Sequence, residues 1–340
     1  MRMREPTQPA VLSGMRPTGR LHLGHLHGAL VNWLNLQNKY RCFFFIADWH
    51  AFTTEYGSPE RISENVREMM VDWLSVGLDP SRCVLFRQSD VKEHAELQLI
   101  LSMITPLAWL ERNPTYKEQI QQLEAKDLST HGFLGYPVLQ AADILMYKAS
   151  FVPVGIDQAP HVELTREIAR RFNQLYRALF PEPDVLLAET PKLPGLDGRK
   201  MSKSYGNAVH LSDPPRAIEE KLKRMMTDPA RVRRSDAGDP EKCPAFNLHR
   251  IYCTREEIEE VSQGCRRAWI GCVDCKMVMI KHVVEDLEPY REKRAHLERH
   301  PDEIRDVMAS GRKKASEIAS ATMAEVRDAV GLESEVVSGL

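Results

Sequence analysis

The chain has no surplus of charge of either sign. Its 340 residues carry 46 Lys and Arg against 48 Asp and Glu, a formal net charge of −2. A globally basic surface for nucleic acid is therefore excluded, and any such partner must meet a local basic face. Long hydrophobic runs are also missing. The longest, Cys42 to Ala47, falls far short of the ~20 apolar residues that a membrane-spanning helix requires. The opening MRMREPTQPAV has no apolar segment of signal-peptide length. A cytoplasmic protein without a membrane partner is expected, in a compartment that keeps thiols reduced. Cysteine is sparse, seven in all, yet three fall between positions 265 and 275. There is neither an internal repeat nor a low-complexity tract. What remains is an ordinary soluble composition, 43% hydrophobic and 28% charged. The length suits roughly two domains of about 150 residues each.

The first two thirds alternate strand and helix signals. Ala10 to Met15 reads as a short apolar strand, followed by turn chemistry at Arg16–Gly19 and a helix over Leu23 to Asn38. Arg41 to Ala47 (RCFFFIA) is a continuous apolar run, as expected of a strand buried on both faces. Ser58-Pro59 opens a helix carrying Ile62, Val66, Met70, Trp73 and Leu74 at helical spacing, and Gly77 stops it. Cys83 to Phe86 and Phe151 to Val154 read as further strands, and Gln158 to Leu175 as a helix. Such alternation predicts βαβ units and a doubly wound, Rossmann-like parallel sheet. After Leu211 the segments read as helical: 215–226, 254–263, 276–299 and 301–330. In the last, Ile304, Val307, Met308, Ile318, Val326 and Val330 form an apolar stripe. The expected organisation is an α/β catalytic domain over 1–211 and an all-helical domain over 212–340.

Three clusters carry chemistry. His22-Leu-Gly-His25 falls where the first strand turns into the first helix. Two imidazoles beside free backbone N–H groups and a positive helix end suit a phosphate. Gly24 removes a side chain and lets a flat base or ribose approach. Lys200-Met-Ser-Lys-Ser204 lies in a glycine-flanked loop. Its lysines supply compact charge and its hydroxyls supply donors, which together can grip a polyphosphate. Alone, each motif is equally a helix start and a solvated basic loop. The third cluster is Cys243, Cys265, Cys272 and Cys275, spaced C-x21-C-x6-C-x2-C. Four thiolates suit zinc or an iron–sulfur cluster, and spacing alone does not choose between them. Cys42 and Cys83 read as small core residues, and Cys253 lacks a partner at metal-ligand spacing. Asp143, in the otherwise apolar stretch Tyr136 to Tyr147, is a carboxylate that needs a partner if buried.

The pair HLGH and KMSKS, in this order and separation, resembles the signature of class I aminoacyl-tRNA synthetases. More of the chain, Val11 to about Gly331, resembles the bacterial-type tryptophanyl-tRNA synthetases. The resemblance rests on SGMRPTGRLHLGHLHGAL (13–30), ADWHAFT (47–53), YPVLQAADILMY (136–147), VPVGIDQAPHVELTREIARRFN (152–173) and KMSKS. It implies activation of L-tryptophan by ATP and transfer to tRNA(Trp), with Mg²⁺ sharing the phosphate charge. His22, His25, Lys200 and Lys203 take the catalytic places. Arg16, Gly24, Lys117, Gly155, Asp157, Gln158, Met201, Ser202 and Ser204 take ATP-binding places. Tryptophan would meet Gly14, His50, Tyr136, Gln140, Val152, Val154 and Gln158, with Asp143 on the indole N–H. The resemblance further implies a homodimer and a helical domain that reads the anticodon. Part of the family carries a 4Fe-4S cluster at closely similar cysteine spacing, which favours that cluster over Zn²⁺ at Cys243, Cys265, Cys272 and Cys275. The chain departs from many relatives at Arg16, usually glutamine, at Gln140, often methionine, and at Leu12, often aromatic. Tyrosyl-tRNA synthetases and a non-catalytic tRNA-binding paralogue are the rival readings.

Overall fold

A computed structural model describes residues 8–117, 128–187 and 193–332, without the side chains of Asp157 and Ser204. Its centre follows from the apolar run at 41–46. That run forms strand β2 (Arg41–Ile46), with Cys42 through Ile46 buried. Buried on both faces, it must sit inside a sheet. The sheet has five strands, β1 (Ala10–Met15), β2, β3 (Cys83–Arg87), β4 (Phe151–Val154) and β5 (Asp184–Leu187), in the order β3-β2-β1-β4-β5. All pairings are parallel, with Ala10 opposite Arg41, Cys42 opposite Cys83 and Phe151 opposite Asp184. Alternation along the strands builds two cores. Val11, Cys42, Phe44 and Ile46 face one, and Ala10, Leu12, Phe43 and Phe45 face the other.

The helices differ from expectation in instructive ways. The first is Leu23–His25, then a π-helical turn Leu26–Leu30, then Val31–Leu36, so it ends short of Asn38. π-turns concentrate at functional sites. Pro59–Val76 runs as read and stops at Gly77, whose φ is +112°. The helix around Asp143 is longer than read, His131–Met146, and encloses Pro137. The stretch read as one helix over 276–299 is two, Cys272–Asp286 and Glu288–Arg299. Pro289, at the second position of the latter, lacks the N–H that would continue the hydrogen-bond ladder. Strand β5 and the helices Asp48–Glu55, Glu93–Ile104, Leu107–Arg112 and Pro244–Tyr252 were not expected.

The long helix Pro301–Val330 does not stay with the helical region. It lies across edge strand β3, and its buried face is Ile304, Gly311, Ala315, Ala319, Thr322, Met323 and Val326. Of the stripe read from the sequence, only Ile304 and Val326 are fully buried, and smaller side chains supply most of the rest of the face. A Cβ at Gly311 would come within 1.7 Å of the Leu85 carbonyl oxygen, so only glycine allows this crossing. The edge of the sheet is thereby covered rather than open to other chains.

Candidate active site at the switch point

The strand order reverses between β1 and β4. In open parallel sheets the crevice beyond the carboxyl ends of the strands at such a point binds ligands. Gly14 is the last residue but one of β1, Gly155 follows β4, and the helix starting at Leu23 is the first after β1. A Cβ on Gly14 would lie 2.4 Å from the Phe45 ring, so the backbone must stay bare. A Cβ on Gly24 would come within 2.9 Å of the His22 ring.

The HLGH segment is pinned to the extended stretch 209–211 that follows KMSKS. Leu23 N donates to Val209 O (3.1 Å), Leu211 N donates to Leu21 O (3.0 Å), and His22 bridges His210. His22 N donates to His25 Nδ1 (3.2 Å), and the two rings lie 3.8 Å apart. His25 Nδ1 is therefore an acceptor, and its neutral tautomer carries the proton on Nε2. Burial, helped by Lys203 and other nearby cations, brings His22 down to about 4. Burial and His22 hold His25 well below the usual range. Both imidazoles are neutral at pH 7, so they serve as hydrogen-bonding groups rather than cations. Among the described residues, the buried His22 Nδ1 has no hydrogen-bond partner.

The positive charge comes from the lysines. Lys203 Nζ donates to Gly19 O at 2.6 Å, and burial lowers its pKa to about 8. Lys200 is exposed, Met201 buried. The loop is shaped by Asn207, which accepts from Ser202 N (2.8 Å) and donates to Asp197 (2.6 Å) and to Lys200 O (3.2 Å). Thus His22, His25 and Lys203 converge. Arg16 is half-buried at the crevice and donates to Thr54 Oγ1. Gln158 closes a short 3-10 turn, Ile156–Gln158, after Gly155. Lys117 is exposed and adjoins residues outside the described set, as are the side chains of Asp157 and Ser204.

Asp143 lies on the other face of the sheet and is fully buried. A buried carboxylate needs partners, and here protein groups supply them. Gln88 Nε2 donates to both oxygens (2.8 and 3.0 Å), His94 Nδ1 lies 2.6 Å from one, and His50 Nε2 lies 2.8 Å from the other. Burial pushes its pKa up, but the bonds from His50 and His94 outweigh this and hold it below the ordinary value. His94 Nε2 continues to the Tyr147 hydroxyl at 2.8 Å. Gln88, His94 and Tyr147 were missed by the sequence reading. The signal for His94 is its phase with Leu97 and Leu101, the buried side of Glu93–Ile104. Nearby, the Tyr136 hydroxyl meets His161 Nε2 (3.0 Å). Val152 is buried, and Val154 and Gln140 are half-buried.

The four cysteines converge as well. Cys243, Cys265, Cys272 and Cys275 line one cavity with Arg231, His249 and Lys276. Cys265 is in the last turn of Arg255–Arg266, while Cys272 and Cys275 open the next helix behind Gly271. Arg231 Nη1 donates to Cys265 Sγ (3.7 Å), and a Cβ on Gly238 would come within 2.6 Å of that sulfur. Burial and the neighbouring thiols push Cys275 up to about 12. Cys253, read as partnerless, lies beside this group: buried His249 places Nε2 3.4 Å from Cys275 Sγ and Nδ1 3.3 Å from Cys253 Sγ. Two locally basic stretches of the sequence, DPARVRRSD (228–236) and REKRAHLERH (291–300), each turn an arginine inward. Arg231 binds the Ile270 carbonyl (2.7 Å), and Arg294 binds Asp72. Among the described residues, no helix is long and apolar enough to cross a membrane.

With this geometry fixed, similarity to known proteins can be placed on it. The family described as tRNA synthetases class I (W and Y) matches residues 4–288. A tryptophan–tRNA ligase of Thermotoga maritima is 55% identical over 324 residues, covering 95% of this chain and 99% of the relative. One of Ralstonia nicotianae is 47% identical, covering 95% and 98%. The solved tryptophanyl-tRNA synthetase of Campylobacter jejuni, complexed with ADP and tryptophan, superposes with a TM-score of 0.86 at 33% identity, over 95% of this chain and 100% of that one. The chain belongs to the class I tRNA synthetases for tryptophan and tyrosine, and within them to the tryptophan–tRNA ligases, which activate L-tryptophan with ATP and transfer it to tRNA(Trp), releasing AMP and diphosphate.

Proposed function

We propose that ATP lies across the switch point and tryptophan in the pocket floored by Asp143. The carboxylate of tryptophan attacks the α-phosphorus, the bond to the β-phosphate oxygen breaks, and pyrophosphate leaves. The 2′-hydroxyl of the terminal adenosine then attacks the adenylate carbonyl, and AMP departs. No side chain forms a bond to substrate, so positioning and charge carry the rate. Neutral His22 and His25 donate hydrogen bonds near the α-phosphate. Lys200 and Lys203 meet the leaving pyrophosphate, and Mg²⁺ arrives with the ATP phosphates. Gly155 and Gln158 with Asp157 flank the ribose, Arg16, Lys117, Met201, Ser202 and Ser204 border ATP, and Gly14, His50, Tyr136, Gln140, Val152 and Val154 border tryptophan. The observation that carries this reading is the unpartnered His22 Nδ1, buried beside Lys203 at the strand ends. Lys203→Ala should lower tryptophan-dependent ATP–pyrophosphate exchange about 100-fold or more, the scale of one lost transition-state contact. An unchanged rate overturns the assignment.

The division at 211/212 gives the helical part the anticodon, with Arg233, Arg234 and Lys293 among its exposed cations, while Arg312 and Lys313 are exposed on the helix that crosses β3. A homodimer in the cytoplasm, each tRNA touching both subunits, completes the reading. Sedimentation of the pure chain tests the dimer. In this reading the thiol cavity holds a 4Fe-4S cluster at Cys243, Cys265, Cys272 and Cys275. What supports it is the donor set: four thiols lining one cavity, with the Arg231 guanidinium beside Cys265 Sγ. Arg231 and Lys276 supply compensating charge. Bound there, the cluster would staple three helices together. Anaerobic purification should give a brown protein with stoichiometric iron and sulfide, whereas a colourless protein with one zinc overturns it.

A further inference from the structure

The helix Glu288–Arg299 reaches the HLGH segment through one buried carboxylate. Asp72, in Pro59–Val76, is 1% exposed. Its Oδ2 accepts the backbone N–H of Leu21 at 3.0 Å, one residue before His22. Its Oδ1 accepts from the Tyr290 hydroxyl and from Arg294 Nη1. Tyr290 and Arg294 are themselves 6% exposed. The second arm of Arg294 binds Glu68 at 2.5 Å and Glu298 at 2.9 Å. Glu68 in turn lies 3.8 Å from Arg20.

The segment held by Asp72 is gripped from the active-site side as well. The Leu21 carbonyl accepts from Leu211 N, and the Gly19 carbonyl accepts from Lys203 Nζ. Residues 19–22 thus sit between KMSKS on one side and Asp72 on the other. An aspartate held only by α/β residues would need nothing from beyond position 211. This one takes both donors to its outer oxygen from the helical region. A carboxylate left without them keeps only the Leu21 N–H as a donor, and it must take up a proton or turn, either of which weakens its hold on Leu21.

We propose that Tyr290 and Arg294 are positioning residues for adenylate formation. Through Asp72 they hold Leu21, and hence His22 and His25, in register with the phosphates. The proposal rests on the reading of HLGH and KMSKS as the phosphate site. It makes the seating of the helical region a determinant of the first, tRNA-independent step. Tryptophan binding should be spared, because Asp143 packs with the opposite core of the sheet from the helix that carries Asp72.

The test uses the full chain and tryptophan-dependent ATP–pyrophosphate exchange, with kcat and both KM values measured separately. In Arg294→Met, kcat/KM for ATP should fall at least tenfold while KM for tryptophan stays within twofold. Arg294→Lys should recover part of the loss, and Tyr290→Phe should show the same pattern, smaller. Asp72→Asn combined with Arg294→Met should be little worse than either alone, because both break one chain of contacts. Circular dichroism establishes that each variant is folded. If Arg294→Met does not fold, Tyr290→Phe and Arg294→Lys decide by the same criterion. Folded variants with unchanged exchange constants overturn the proposal. So does a parallel loss in both KM values and kcat, or strict additivity in the double variant. Failure of Lys203→Ala to slow exchange would instead overturn the site assignment beneath it.

Discussion

Replacing Asp143 by asparagine probes how the pocket floor is held. The carboxylate accepts from Gln88, His94 and His50 through both oxygens. An amide retains one acceptor and places an NH₂ where the second oxygen was. Gln88 touches both oxygens, so its amide must flip or clash. At least one histidine loses its anionic partner. Each hydrogen bond to a charged group contributes about 1.5–3 kcal/mol, and a stranded buried donor costs about 1–3 kcal/mol. With partial relief from the flip, a loss of about 3 kcal/mol is expected, at the lower end for a broken buried charged network. The pH dependence has a definite sign. Burial pushes the Asp143 pKa up, but its hydrogen bonds leave it below the ordinary 3.8. A depressed carboxyl contributes stability that is fully present above the unfolded value and lost as pH falls through the folded one. Urea unfolding followed by circular dichroism should therefore show a constant gap between wild type and Asp143→Asn from pH 7 to about 4, narrowing below 3.8. A gap under about 1 kcal/mol at pH 7, or one that widens on acidification, refutes the account.

Three further outcomes follow from the geometry. Lys203, brought down to about 8 by burial, is charged below that pH, so kcat/KM for ATP should decline as pH rises through about 8, and a profile flat to pH 10 contradicts this. Gly14→Ala drives a methyl into the Phe45 ring and should raise KM for tryptophan roughly tenfold in the exchange assay, with folding retained. Gly311→Ala places a methyl against the Leu85 carbonyl and should lower Tm by roughly 5 °C or more in a calorimeter.

The catalytic half was legible because its signals are local. RCFFFI can only be a buried strand, and Ser58-Pro59 with Gly77 brackets a helix by backbone chemistry alone. HLGH and KMSKS were found as motifs, and the structure brings His22, His25 and Lys203 together. What escaped was pairwise and distant. His94 is an unremarkable letter until the sheet sets it beside Asp143, 49 positions away. Asp72 and Arg294 are separated by 222 positions, and Arg294 sits in a basic stretch that reads as a solvated surface. Charge composition cannot tell an inward arginine from an outward one. Cys253 was set aside on spacing, yet a turn of helix brings it to His249. The end of the helix at Leu36 and the break before Glu288 escaped for another reason: tertiary packing and one proline overrode a periodicity that continues through them.

The helix Pro301–Val330 has a consequence for how the chain is made. It supplies Ala315, Ala319, Met323 and Val326 to the core beneath β3, and Lys314 reaches the Pro80 carbonyl across 234 positions. The sheet edge is therefore synthesised long before the element that covers it. Throughout that interval the nascent α/β half presents an uncovered outer edge of β3 and an unfilled hollow, a state prone to pairing with the wrong partner. Folding of this enzyme is thus completed from its far end, and a ribosome that stalls before position 301 leaves a catalytic half with every active-site motif in place and no closed core.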